Sequence, residues 1–217
     1  MNLVPVMESI EAKAKELMLE GSSSGHDYAH VQRVHALCCR LAEMEDAPVL
    51  RPVLEAAALL HDIGREWERR DPAVDHAEKS AELAESLLRE AGFPEAHIPK
   101  VLQAIRTHRF SSKRPPETLE AMLLQDADRI DASGALGIAM TFAYGGAHDR
   151  ILYHPEDPFA EDRDLDDKTY SLDHFYTKIL ALPDSLHTES AKAIARERTS
   201  FTRAYLEQLK NEMAGEG

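Results

Sequence analysis

The chain has 217 residues, enough to bury one sizeable core. Its hydrophobic share of 43% and charged share of 29% are those of a soluble globular protein, and no apolar run is long enough to span a bilayer, so a cytoplasmic location is expected. A net charge of −14 argues against a nucleic-acid polymer as partner, because phosphate backbones need a basic surface, but it leaves room for a small phosphate ester at a local, metal-bearing pocket.

In chain order, Val6, Ile10, Ala14 and Leu17 recur at helical spacing across residues 4 to 19, and Glu8, Glu11 and Glu16 stand where a secretory leader would be basic and then apolar. Residues 21 to 25 are Gly and Ser and break that helix. His26 is read as a cap or a substrate contact, and Asp27 as the N-cap of a second helix carrying Val31, Val34, Leu37, Cys38 and Leu41 inward. Cys38 and Cys39 are helical neighbours whose side chains diverge, so they are expected to stay reduced. After Pro48, residues 50 to 63 form an apolar helix ending in His61-Asp62. A charged loop is expected from Arg65 to Asp75, then a helix from His76 to Ala91 capped by Asp75, and another running through His108. Residues 117 to 130 and 133 to 144 give two more helices. Residues 147 to 168, with Pro155, Pro158 and many acids, read as a loop, either ordered or a mobile lid. One short and one long amphipathic helix, separated by Pro183, complete the chain. No useful strand alternation or internal repeat is present, so the fold class is all-α.

Adjacent helical residues lie about 100° apart around the axis, so His61 and Asp62 can face one side while their apolar neighbours grip a core. Imidazole and carboxylate together suit Mn, Fe, Co, Mg or Zn rather than a soft ion. His30, His76, His108 and Asp128 each fall in a helical context of their own, and a metal site between helices fits an all-α bundle. Histidines and acids from separate helices also leave room for water and a substrate oxygen, where a closed structural zinc site would favour cysteines. Asp126 and Asp131 read as capping or salt-bridge acids, and Arg129 as the partner of a carboxylate.

The order His30, His61-Asp62, Asp128 resembles the H…HD…D signature of the HD superfamily of metal-dependent phosphohydrolases. The resemblance extends through His26-Asp-Tyr-Ala-His-Val, Ala58-Leu-Leu-His-Asp-Ile-Gly, His76-Ala-Glu-Lys-Ser, Ile105-Arg-Thr-His, Gln125-Asp-Ala-Asp-Arg-Ile-Asp, Thr141-Phe-Ala-Tyr-Gly-Gly and Asp173-His-Phe-Tyr. It implies one HD-type helical bundle over residues 1 to 217, with the metal site between helices and a C-terminal helical extension from about 169. It implies a divalent ion (Mn, Mg, Co, Ni or Fe) on His30, His61, Asp62 and Asp128, with His76 and His108 as phosphate contacts or ligands of a second ion. Some members of the subgroup are similar to pyrophosphohydrolases that cleave nucleoside triphosphates to monophosphate and pyrophosphate, so the resemblance implies hydrolysis of a nucleotide or other small phosphate ester.

At such a site a metal polarises a phosphoryl oxygen and activates a water, and no serine or cysteine nucleophile is needed. Arg65 and Lys79 are the candidates for stabilising phosphoryl charge, and Asp62 or His108 for general base. Two alternatives stay open. The six residues His30, His61, Asp62, His76, His108 and Asp128 also resemble the ligand set of di-iron oxygenases on the same fold, and a nucleotide-binding module without catalysis is the third reading. The long C-terminal helix can pack on its own core or pair two chains, with a homodimer as the expectation.

Overall fold

The computed structural model describes residues 3–19, 27–109 and 114–216. The break at 21–25, His26 and the loop residues 111–113 therefore lie outside the described residues. Among the described residues every regular element is helical, and the one extended pairing is an isolated bridge between Ile151 and Tyr170. None of these helices is long and apolar enough to cross a membrane. The chain forms two compact units, Met1–Asp128 and Arg129–Gly217.

In the first unit, α1 spans Val4–Leu19, α2 Tyr28–Met44, α3 Arg51–Leu60, α4 Arg65–Arg70, α5 His76–Glu90, α6 Ile98–Thr107 and α7 Leu119–Asp131, the last ending just beyond the unit. The core is built around α3. Its Val53, Leu54, Ala56, Ala57, Ala58, Leu59 and Leu60 are all buried, which marks a helix enclosed on all sides rather than an amphipathic one. It packs against α1, α2 and α6, and α5 packs on α6. The small alanines let these neighbours approach, and each buried leucine contributes about 2 kcal/mol. Buried polar links seat α7: Gln125 Nε2 donates to the Thr107 carbonyl at 2.7 Å, and Glu120 accepts from the Leu50 amide at 2.8 Å.

The caps follow the sequence. Asp27 accepts from the His30 amide at 3.0 Å, and Asp75 from the Ala77 and Glu78 amides at 2.8 and 3.2 Å. Cys38 and Cys39 are free thiols, Cys38 being buried. Two expectations need correction. Helix α3 ends at Leu60, so His61 and Asp62 stand in the turn beyond it. The stretch expected as a loop from Arg65 begins instead with α4. Glu66 and Glu68 in its first turn and Arg69 and Arg70 in its last complement the helix dipole, and Glu66 bonds both arginines across one turn.

In the second unit, α8 spans Gly134–Ala147 and α9 Glu189–Met213. Helix α8 runs through Gly145-Gly146 rather than stopping before them, and the Gly145 carbonyl then accepts from His148 and Arg150 to close it. A π-helical turn at Phe175–Ile179 and a 3-10 turn at Leu182–Ser185 take the place of the expected short helix. Leu172, Phe175, Ile179 and Leu206 form the core of this unit, with Phe142 and Tyr205 packed against it. Arg129 donates to the carbonyl and hydroxyl of Ser185.

The segment between α8 and the π-turn is ordered. Asp173 is buried and accepts from both terminal nitrogens of Arg163, at 2.6 and 2.7 Å, and from the Asp166 amide at 2.6 Å.

Candidate metal centre

Six side chains predicted from sequence converge within the first unit as two groups, His30 with His61 and Asp128, and Asp62 with His76 and His108. In each group the ligand atoms lie within 4.8 Å of one another. The helix ends explain the convergence. His30 sits in the first turn of α2, fixed by the Asp27 cap. His61 and Asp62 follow the last residue of α3, His76 opens α5, His108 follows α6, and Asp128 is on α7.

One carboxylate spans both groups. Asp62 Oδ2 is 3.7 Å from both His30 Nε2 and His61 Nε2, while Oδ1 is 3.4 Å from His108 Nε2 and 3.6 Å from His76 Nε2. The Asp128 carboxylate lies 3.2 Å from His30 Nε2 and 3.9 Å from His61 Nε2. Five of the six side chains are buried to 2% exposure or less, whereas Asp128 keeps 20%, which leaves the first group open to solvent on that side.

The donor set fits cations. A carbonyl only accepts, so His61 Nδ1, 2.8 Å from the Ala58 carbonyl, and His108 Nδ1, 2.7 Å from the Ile105 carbonyl, must carry ring protons. Their Nε2 atoms are thereby directed at Nε2 of His30 and of His76, each pair 3.3 Å apart. Two lone pairs at that distance would repel, so each pair needs either a proton on Nε2 of His30 or His76 or a cation between the rings. With metal–nitrogen bonds of about 2.1 Å, a 3.3 Å separation corresponds to an angle of roughly 100° at the ion, a normal coordination angle.

Protonation follows the same logic. Burial lowers His61 to a pKa of about 4, so its imidazole is neutral near pH 7. Burial also lowers His76, assisted by the Arg65 charge. For His108 burial acts downward, but the hydrogen bond and charge of Asp62 outweigh it and raise the pKa above the ordinary histidine value. His108 therefore holds a proton more readily than an ordinary histidine, in keeping with a cluster that favours positive charge. Asp128 is held well below the usual carboxylate range: burial opposes ionisation, but the His30 hydrogen bond and the charges of His30, His61 and His108 prevail.

Of the candidate cations, Arg65 reaches the cluster and Lys79 is engaged elsewhere. Arg65 Nε donates to Asp62 Oδ1 at 2.9 Å. Lys79 Nζ pairs with Glu82 at 2.8 Å and lies over the Trp67 ring, in a groove shared with Asp75, Glu78 and Arg106. Asp126 and Asp131 are buried on α7 outside both ligand groups.

Four supporting residues, Gly64, Ser80, Gln125 and Glu68, were missed in the sequence. Ser80 Oγ accepts from the Gly64 amide at 2.8 Å, and a Cβ on Gly64 would stand 2.6 Å from the His76 carbonyl, so only glycine lets α5 bring His76 this close. Gln125 ties α7 to the carbonyl preceding His108. Glu68 lies 2.8 Å from His76 Nδ1. Reading α4 as a helix would have placed Glu68 one turn from Arg65 and exposed the connection.

Residues 27–133 match the HD domain family model. An uncharacterised protein of Bacillus subtilis, YpgQ, is 32% identical over 202 residues, covering 91% of this chain and 89% of its own length. The crystal structure of B. subtilis YpgQ in complex with ADP superposes with a TM-score of 0.75 at 29% identity, covering 98% of this chain and 97% of that one. The crystal structure of an HD-superfamily hydrolase from Bacillus thuringiensis gives a TM-score of 0.75 at 35% identity, covering 96% of each chain. With the H…HD…D residues assembled into two groups able to hold metal, in an all-α fold shared with HD-superfamily hydrolases, this chain belongs to the HD superfamily.

Proposed function

We propose that this chain is a divalent-metal-dependent phosphohydrolase acting on a nucleotide, and that it converts nucleoside triphosphates to the monophosphate and pyrophosphate. The observation that carries the reading is Asp62, whose two oxygens each face a separate pair of histidine nitrogens. His30, His61, Asp62 and Asp128 would hold a divalent ion, Mn, Mg, Co, Ni or Fe, which would supply polarisation of a phosphoryl oxygen and a lowered water pKa. The remaining work belongs to the chain. Asp62 and Asp128 carry two negative charges and Arg65 one positive, so the cluster accepts divalent cations and then suits an anionic substrate. Burial of five of the six side chains keeps these charges in surroundings where they act strongly. Arg65, fixed by Asp62, faces developing phosphoryl charge, and Asp62, or His108 Nε2 where it holds no ion, is assigned to take the proton of the attacking water. The ADP in the B. subtilis YpgQ crystal structure supports a nucleotide ligand here too.

The test is product identification. Stripped protein reloaded with each metal and given a panel of nucleotides and sugar phosphates is expected to yield pyrophosphate and monophosphate from triphosphates. Orthophosphate from monophosphates would move the assignment to a phosphatase. The same six-ligand arrangement favours one competing reading, a di-iron oxygenase. No phosphate product with any metal, together with two irons per chain and oxygen uptake, would establish that reading instead.

A further inference from the structure

The two ligand groups differ in what surrounds them. Glu68, on α4, contacts one member of the second group, His76, and is linked to the other two only through Arg65, which bonds Asp62, and Arg109, the neighbour of His108. Its Oε2 is 2.8 Å from Nδ1 of His76, a ligand, and 3.4 Å from Arg65 NH1. Arg65 in turn holds Asp62 through Oδ1, the oxygen that faces His76 and His108. Glu68 Oε1 accepts from Arg109 at 2.9 Å, and Arg109 directly follows His108. Arg109 also lies 3.5 Å from Asp75, the cap of the helix that His76 opens.

We propose that Glu68 is the positioning residue of the second ion site: its carboxylate beside Nδ1 holds the His76 ring with Nε2 toward His108, and through Arg65 and Arg109 it steadies the approach of Asp62 and His108. A histidine ligand needs its outer nitrogen bound to an acceptor to hold ring orientation and tautomer, and loss of such an acceptor weakens metal affinity by about 10–100-fold. His61 and His108 obtain this from carbonyls of their own helical turns. His76 opens its helix and has no preceding turn to supply one; the Glu68 carboxylate from α4 stands 2.8 Å from its Nδ1 as an ion-pair contact. The same carboxylate balances two arginines beside the ligands, so its removal alters charge as well as geometry.

This inference rests on the reading that the cluster holds two divalent ions. The test is Mn²⁺ titration by calorimetry on wild-type protein, Glu68→Ala and Glu68→Gln, with thermal melts of the stripped proteins. The expected result is two ions per chain in wild type, and in Glu68→Ala a second affinity weaker by about 10–100-fold with the first weakened clearly less, through the shared Asp62. Glu68→Gln, which keeps an acceptor oxygen, is expected to recover part of the loss. Equal weakening of both ions in proportion to a lowered melting temperature would show a merely structural role and overturn the proposal. Two ions bound alike in wild type and Glu68→Ala would overturn the role of Glu68 alone. A single ion in wild type would overturn it together with the two-ion reading.

Discussion

His76 Nε2 and His108 Nε2 face each other at 3.3 Å, with the Asp62 carboxylate 3.6 and 3.4 Å away from them. Two imidazoles and one carboxylate in that arrangement suit a cation, and the upward shift of His108 has the same cause, the Asp62 carboxylate. Asp62 takes part in this group and in the one formed by His30, His61 and Asp128, so its removal affects both. Asp62→Ala is expected to bind divalent ions at least about 100-fold more weakly and to lose phosphohydrolysis in proportion, as read by metal analysis after dialysis and by product release. Full retention of metal would show that Asp62 is not a ligand.

The opposed shifts of the histidines give the stripped protein a defined pH profile. His61 and His76 have folded pKa values lowered by burial, so the native state binds fewer protons than the unfolded chain below about pH 6.5, and stability falls as pH drops. For His61 that loss runs from about 6.5 toward about 4 and amounts to about 3 kcal/mol. His108 is raised, so its contribution is complete below about 6.5 and is lost as pH rises through its folded value. Asp128 is lowered, and its contribution is lost only below the ordinary carboxylate range. Melting temperatures of the stripped protein are therefore expected to peak near pH 6.5, and a steady rise from pH 4 to 9 would contradict these shifts.

Gly64 permits the contact between the turn after α3 and the start of α5. An added methyl would meet the His76 carbonyl and the Ser80 amide at 2.6 Å, both of them backbone. Gly64→Ala is expected to cost about 1–3 kcal/mol in denaturant unfolding and to weaken metal binding by displacing His76. Wild-type stability in this variant would mean that α5 moves away freely.

In the second unit the Arg163–Asp173 pair holds the long segment before the π-turn. Replacing Arg163 leaves a buried carboxylate without its guanidinium partner, a loss of about 3–5 kcal/mol. Arg163→Ala is expected to become sensitive to limited proteolysis between 150 and 170. Its metal content should not change, because all six ligands lie in the first unit. Unaltered proteolysis would show that the segment is held by other contacts.

Most helices and the convergence of six candidate ligands were legible in the sequence because each of the six sits at or near a helix end marked by a cap or a break. Asp27, Asp75 and the apolar run into His61 all carry such local signals. What the sequence hid was the division of labour. Spacing along a helix puts His61 and Asp62 on one side, but it does not show that Asp62 would turn one oxygen to each histidine pair, since that depends on how α5 and α6 pack. Glu68 was obscured because a run of charges reads as a solvated loop, and only the i,i+3 and i,i+4 pairing of Glu66 with Arg69 and Arg70 makes it helical. Lys79 carries the charge that phosphate chemistry favours, yet its helix face directs it to Glu82 and Trp67.

The most direct measurement is an anomalous difference map from crystals grown with Mn²⁺. Two peaks are expected about 3.5–4 Å apart. One should lie about 2.2 Å from His30 Nε2, His61 Nε2 and Asp128, the other at the same distance from His76 Nε2 and His108 Nε2, with Asp62 between them. No peak among these six side chains at saturating Mn²⁺ would contradict the metal-dependent reading of this site.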